Sequence, residues 1–379
     1  MTTLGKQSND VVIVGGGVIG CSIAYFLAAH HGVQATILER DGIGSAASGN
    51  AAGELAAVGR HRYSDTFTKF ILQGIAMHHS LVSEIVEASG IDYQFSDITQ
   101  VRPAFNEADV MDLKDQMNWQ NSLGLSAEWA EPLDLRRRYQ WLSSKALGAV
   151  VTIEKQLESY PFCIAMLQGA ERLGVKVKTG NAVTITSSKG QLVEVGLENR
   201  ETLQTRNIVI ANGPWAAFLG DYIGFHMPIT PLRGQIVHAS LPAASGWPDY
   251  SIFYEATYML PKASGDLLLG TTDEEVGFNS SPTKEAELGI LTSVVNMIPS
   301  LEVASIIRTT ACLRPSTADE LPIIGQIPGS EGIYVATGHG HKGITLALIT
   351  GKTIADLIAT GNCDFDIEAF NPSRFGTAG

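Results

Sequence analysis

Residues Val11 to Arg40 read VVIVGGGVIGCSIAYFLAAHHGVQATILER. Val11–Val14 is a short, β-branched apolar run, the pattern of a strand buried on both faces. Gly15, Gly17 and Gly20 follow at G-x-G-x-x-G spacing, and Val18–Ala29 then has the character of a helix. The glycines serve a tight turn, backbone approach to a pyrophosphate and close helix–strand packing. The helix N-terminus offers unpaired N–H groups and partial positive charge to phosphates. A second strand, Ala35–Leu38, ends at Glu39, where a carboxylate reaches ribose hydroxyls. The whole unit predicts dinucleotide binding. The acid favours NAD or FAD over NADP, whose additional phosphate it would repel.

At 379 residues the chain is long enough for two domains, or for one with a large insertion. Its formal net charge of −13 argues against nucleic acid or an anionic membrane surface as partner. Cys21, Cys163, Cys312 and Cys363 are scattered and form no C-x-x-C pair, so neither a zinc site nor a disulfide framework is indicated, and a reducing cytoplasm fits. The pairs His30-His31, His78-His79 and His339/His341 lack Cys or carboxylate at ligand spacing. They read as surface or loop histidines, and no metal is expected. Met1–Asp10 lacks the basic start of a signal peptide. Val11–Ala29 imitates a membrane span, but its glycines and the second strand that follows argue against one.

Beyond Arg40, the stretch DGIGSAASGNAAGEL (Asp41–Leu55) is dense in Gly and Ala; it reads as backbone passing close to a flat group or, equally, as a flexible loop. Helices are expected over Thr66–Ala88, Glu107–Trp119, Pro132–Tyr139, Tyr160–Leu173 and Glu285–Ile298. Ile91–Pro103 turns toward strands, and the segment through Tyr139 suggests an inserted cap. Gly148–Ile153 returns to an α/β rhythm. Val175–Thr186, Gln191–Leu197 and Thr202–Thr205 suggest a small meander, and Asn207–Ala211 a buried strand. From Ile229 the pattern is antiparallel, with a hairpin of Tyr258–Leu260 and Leu267–Thr271. Gly332–Thr337 is a last apolar strand. After it come Gly338-His339-Gly340-His341-Lys342-Gly343 and a helix, Ile344–Ile358. This second glycine-rich strand-to-helix turn predicts that both ends of the chain meet at one ligand.

Four motifs together resemble the family of FAD-dependent amine and D-amino-acid oxidoreductases, from about Asp10 to Leu357. They are GGGVIG with Glu39-Arg40, AASGNAAGEL, ANGPW at Ala211–Trp215, and ACLRPSTADELPIIG with ATGHGHKGITLALITGKTIADLI. Motif order and length are most similar to the bacterial glycine oxidase branch, with the D-amino-acid dehydrogenases next. The resemblance implies an α/β fold: a Rossmann-type FAD-binding domain (1–85, 145–220 and 305–379) interleaved with an antiparallel-sheet substrate domain (86–144 and 221–304).

Carried over, the resemblance gives Gly15, Gly17, Val18, Ile19 and Gly20 to the FAD pyrophosphate, and Glu39 to the adenosine ribose with Arg40 beside it. Ala47, Ser48, Ala52, Gly53 and Glu54 would line the phosphates and flavin, mostly through backbone. Val183 would meet the adenine. Gly338, His339, Gly340, His341, Lys342, Gly343, Ile344 and Thr345 would close over the isoalloxazine, where N–H donors favour an anionic reduced ring. Arg314 matches a carboxylate-binding arginine, and a guanidinium grips a carboxylate with two parallel hydrogen bonds. Tyr258 matches a tyrosine assisting there. Two departures stand out. Ala256 replaces a histidine usual in glycine oxidase, and HGHKG replaces a familiar Arg-Asn pair, so His341 or Lys342 is a candidate substrate contact. Cys312 falls where the sarcosine-oxidase branch carries a flavin-linked cysteine, although noncovalent FAD is the expectation.

The implied activity is oxidation of the amine of a small amino acid, of the glycine, sarcosine or D-amino-acid type. Hydride passes to flavin N5, the imine hydrolyses to an oxo acid, and oxygen accepts the electrons as hydrogen peroxide. No side chain is an obvious general base. The alternatives are a dehydrogenase of the same fold serving quinone or a carrier, and a non-catalytic flavin-binding assembly protein. An NAD-dependent dehydrogenase also follows from Val11–Glu39 taken alone. A homo-oligomer is left open.

Overall fold

The computed structural model describes residues 9–58, 62–186, 193–242 and 246–376. Two sheets organise them. In the first, the strand Asn9–Val14 is flanked in parallel by Ala35–Glu39 and by the second half of Thr202–Ile210. Lys176–Thr179 extends one side, and Ile333–Thr337 with antiparallel Ile323–Gln326 the other. Val11, Val12 and Ile13 are fully buried, because helices cover one face and a small meander with the helix Ala216–Tyr222 packs on the other. The helices Val18–His31, Ser159–Arg172 and Ala347–Thr360 form the covering layer. Val18–His31 stops at Gly32, whose left-handed backbone lets its N–H reach the Ala28 carbonyl.

The second sheet runs Ser305–Thr317, Ile229–Ser240, Leu267–Gly270, Thr257–Pro261, Tyr250–Tyr254, Ser96–Ala104, Gly148–Gln156 and Glu54–Leu55, with Ala127–Ala130 paired to Gly148–Gln156. Its outer face packs on the helix Lys284–Met297, which Thr283 caps through its hydroxyl. Each sheet draws strands from well-separated parts of the chain. Gly148–Gln156 and Ser305–Thr317, grouped by sequence with the dinucleotide-binding segments, both lend their strands to this second sheet.

Several local expectations change. Val175–Thr186 is two strands, Lys176–Thr179 and Ala182–Thr186, broken at Gly180-Asn181, and the first joins the parallel sheet. Thr202–Ile210 is one strand where two were expected, because its start pairs with Val193–Leu197 and its end with Asn9–Val14. Of the expected strand Gln191–Leu197, residues 191 and 192 lie outside the described residues, as does most of Met1–Asp10. The segment after Ala104 carries the helices Glu107–Ser122 and Pro132–Arg138, and Ser96–Ala104 before it is an integral strand of the second sheet. The last helix begins at Ala347, not Ile344, because Gly340–Lys342 forms a separate 3-10 turn. Among the described residues, no helix is long and apolar enough to cross a membrane.

Candidate active site

One cavity of about 1390 Å³ lies between the two sheets. That exceeds the usual ~300–1,000 Å³ of a small-ligand site, as a dinucleotide plus a second small molecule requires. Every residue predicted from sequence for cofactor or substrate lines it except Gly20. Gly20 is a packing residue: a Cβ there would fall 2.0 Å from the Gly15 carbonyl oxygen, so the helix crosses the strand end too closely for a side chain.

At the glycine turn, Gly15 has φ +113°, and a Cβ would meet the Ala211 carbonyl at 2.5 Å. Its N–H is tied to the Leu38 carbonyl, and the Ala211 N–H to the Val14 carbonyl. The helix starting at Val18 has a glycine, Gly17, at its N-cap and no acid in its first turn, and Gly17, Val18 and Ile19 line the cavity. Ser48 Oγ accepts the Val18 N–H at 2.9 Å. This is a start open to an anion. Glu39 accepts N–H groups from Gly16 (2.7 Å) and Asp41 (2.8 Å), which fixes its carboxylate at the cavity edge. Arg40 lies over the Trp215 ring, 4.9 Å from its centroid.

The stretch Gly338–Thr345 forms another wall. The N–H groups of Ile344 and Thr345 have no hydrogen-bond partner among the described residues, so a bound acceptor would satisfy them. The histidines here are not all loop residues. His339 is buried and shares a hydrogen bond with Thr350 Oγ1 at 3.1 Å, and burial holds its pKa down at about 3. His78, on the helix Asp65–Ser89, is fully buried and donates from Nε2 to the Ile344 carbonyl at 3.0 Å. Burial lowers it to about 4. His341 is half-exposed and bonds Asp273. Among the described residues no group of three His, Cys, Asp or Glu is placed to hold a metal.

The facing wall is one side of the second sheet, and strand register decides its membership. Thr310, Ile236, Gly270, Tyr258 and Phe253 form one cross-strand row, so their side chains share a face. Cys312 and Arg314 follow at two-residue steps and belong to it too. Tyr258 stacks on Phe253 with centroids 5.0 Å apart. Arg314 donates to the Thr272 carbonyl (3.0 Å), Asp273 Oδ1 (2.5 Å) and Thr271 Oγ1 (2.9 Å). Cys312 is buried, and burial pushes its thiol pKa up.

Sequence reasoning missed a polar cluster on the same face. Gln100 pairs with Thr152 and Ser251, and Arg102 and Glu154 lie two residues along from these, so all five face the cavity side. Glu54 joins them. Its carboxylate accepts the Ser251 hydroxyl at 2.8 Å. Burial raises it to about 7, with Ser251 and Gln100 opposing and Glu154 adding to the rise. Lys342 donates to the Ala56 carbonyl at 2.7 Å, and burial lowers its ammonium to about 8.

Residues 10–357 match the family of FAD-dependent oxidoreductases called DAO. The chain belongs to that family. The chain is accordingly an FAD-dependent oxidoreductase, and the open helix start and unpaired amides described above suit that cofactor. Among DAO proteins, glycine oxidase of Bacillus licheniformis is 30% identical over 376 residues, covering 97% of this chain and 98% of the relative. The glycine oxidase of Geobacillus kaustophilus is 29% identical over 375 residues, covering 96% and 97%. The hydrogen cyanide synthase subunit HcnC of Pseudomonas aeruginosa is 28% identical over 409 residues, covering 98% and 97%. The crystal structure of the Geobacillus kaustophilus glycine oxidase superposes with a TM-score of 0.91 at 28% identity, covering 96% of this chain and 98% of that one.

Proposed function

We propose that this DAO protein oxidises the C–N bond of a small amino acid of the glycine, sarcosine or D-amino-acid type, with oxygen as acceptor. The observation that carries the reading is the convergence of Arg314 and Tyr258 on one sheet face of the cavity that Gly338–Thr345 also lines, with Asp273 bonding both Arg314 and His341. The bound FAD supplies the two-electron acceptor for the substrate's α-carbon hydride. Gly15, Gly17, Val18 and Ile19 would hold its pyrophosphate, Glu39 and Arg40 its ribose side, Val183 its adenine, and the Ala47–Glu54 and Gly338–Thr345 segments its flavin.

The chain's own residues then orient the substrate. The guanidinium of Arg314 still has N–H groups beyond the three bonds it makes, enough to grip a carboxylate. Tyr258 offers its hydroxyl beside it. His341, held by Asp273, borders the same space. Positioning of this kind contributes most of what a protein can add when a cofactor carries the chemistry.

The experiment is anaerobic flavin reduction by glycine, sarcosine, proline and D-amino acids, followed by peroxide measurement in air. Bleaching by at least one amine supports the reading, and no bleaching by any overturns it. A second reading has support in the similarity to HcnC, named as a subunit of a synthase: the electrons leave to a quinone or carrier. Bleaching without peroxide selects it.

A further inference from the structure

An amino acid enters at neutral pH as an ammonium ion, and its nitrogen needs a free lone pair before the α-carbon can lose hydride. A proton therefore has to leave inside the cavity. Glu54 opens the two-residue strand Glu54–Leu55, which pairs antiparallel with Lys155–Gln156. Its partner in register, Gln156, lies two residues from Glu154, so Glu54 shares the sheet face that carries Tyr258 and Arg314. Ser251, which donates to the Glu54 carboxylate, lies two residues before Phe253, the stacking partner of Tyr258. Ala52, on the same loop, packs into the small apolar cluster around Tyr258.

The groups around this carboxylate come from four other elements and from Lys262, just beyond Thr257–Pro261, whose buried ammonium donates to the Ala52 carbonyl and is drawn by the Glu54 charge. Gln100 and Arg102 face it from Ser96–Ala104, Glu154 from Gly148–Gln156, Ser251 from Tyr250–Tyr254, and Lys342 from the Gly340–Lys342 turn. Asp112, on the helix Glu107–Ser122, acts on Arg102 from outside. Glu54 makes no ion pair within 4.0 Å among the described residues; its contacts are neutral donors. A carboxylate so placed is free to accept a proton.

We propose that Glu54 is the general base that takes the proton from the substrate ammonium. The N–H bond breaks, its electron pair stays on nitrogen as the lone pair, and the proton forms an O–H bond on Glu54, which becomes a neutral acid. This rests on the reading above that Arg314 anchors an amino acid. The position of the Glu54 titration near neutrality suits such an exchange, since a base works best with a pKa near the working pH. Ser251 and Gln100 keep the carboxylate aimed.

The test compares the holoenzyme with Glu54→Gln and Glu54→Asp in anaerobic flavin reduction by glycine, sarcosine and D-alanine between pH 6 and 10. Acetate binding is followed in parallel through the flavin absorbance. Glu54→Gln is expected to slow reduction about 100-fold at pH 7, with the deficit shrinking as the pH passes the amine's own pKa. Glu54→Asp should recover part of the rate, and acetate, which has no proton to give, should bind both variants as it binds the parent. A Glu54→Gln profile parallel to the parent's, or a loss equal at every pH together with lost acetate binding, would overturn the proposal. Failure of all three amines to bleach the parent protein itself would instead remove the amino-acid reading on which it stands.

Discussion

Gly234 lies directly beneath the guanidinium of Arg314: a Cβ at Gly234 would fall 2.0 Å from Nη2 and 2.2 Å from Cζ. The neighbouring strand repeats the device. A Cβ at Gly270 would fall 2.2 Å from Cζ of Tyr258. Two glycines on adjacent strands thus leave a shallow floor on which a guanidinium and a phenol lie flat, both aimed along the sheet rather than straight into the cavity. Position 234 faces Cys312 in register and position 270 faces Tyr258.

Gly234→Ala is therefore expected to displace Arg314 without touching the dinucleotide end of the cavity. KM for the amino acid should rise at least tenfold while FAD stays bound, and Arg314→Ala should raise it further. Steady-state kinetics with the flavin spectrum as loading control would check both. A Gly234→Ala protein with an unchanged KM would show that the guanidinium has other room.

At the other end, Gly17→Val should abolish cofactor retention. The backbone at Gly17 is extended and tolerates a side chain, but the Cβ would sit 3.1 Å from Ser48 Oγ, and the branches beyond it would fill the space before the helix start. The purified variant should lack flavin absorbance and stay colourless when FAD is added, while circular dichroism reports an intact fold.

How much of this was legible from the chain follows from which signals are local. Val11–Glu39 declares itself because a buried parallel strand, a glycine turn and a helix leave periodic marks within thirty residues. Arg314 and Tyr258 entered through motif resemblance, and register then places them on one face. Glu54 entered through the loop motif, as a lining residue acting mostly through backbone, but the cluster of Gln100, Arg102 and Glu154 beside it stayed hidden because alternating polar residues in a strand look the same whether they face water or a cavity. Only the pairing with Tyr250–Tyr254 and Glu54–Leu55 distinguishes them. His78 is different: it lies seven residues after Ile71, on the buried stripe of its helix, and that spacing was a usable signal. Thr202–Ile210 read as two strands because Arg206 interrupts the apolar run, and the interruption is where the strand changes partners.

Cys312 lines the cavity but lacks the environment of a reactive thiol. The thiolate is the nucleophilic form, and burial raises the Cys312 pKa, with the opposing pull of Arg314 the smaller effect. Acid precipitation should release all the flavin into the supernatant, and Cys312→Ser should retain FAD as well as the parent. Yellow colour remaining in the denatured pellet would contradict this.

His78 gives the fold a pH dependence with a defined sign. Its folded pKa, about 4, lies below the ordinary histidine value of 6.5, so below pH 6.5 the unfolded chain binds the additional proton. Stability from this group is therefore full above pH 6.5 and is lost as the pH falls toward 4, by on the order of 3 kcal/mol for a shift of this size. His339 acts in the same direction; Glu54, whose pKa is raised, acts in the opposite one between about 4.5 and 7. Replacing His78 by Gln keeps a donor for the Ile344 carbonyl and removes the titration. Denaturant unfolding at pH 7 and pH 5 should show a smaller drop for the variant than for the parent, and an equal drop would exclude His78 as a source.

Asp273 sets the charge that a substrate carboxylate meets. It pairs with Arg314 at 2.5 Å and with His341 at 3.0 Å, so the guanidinium is partly neutralised before anything binds. An incoming carboxylate has to share that cation, and two like charges on one guanidinium repel. Asp273→Asn keeps an oxygen to accept from Nη1 but removes the negative charge. Acetate and the amino-acid substrate should then bind several-fold more tightly, with the gain shrinking in high salt because part of it is long-range. The alternative outcome is weaker binding together with a rise in KM. It would mean that Asp273 serves chiefly to aim Arg314 across Gly234, and that its orienting bond outweighs the repulsion it brings.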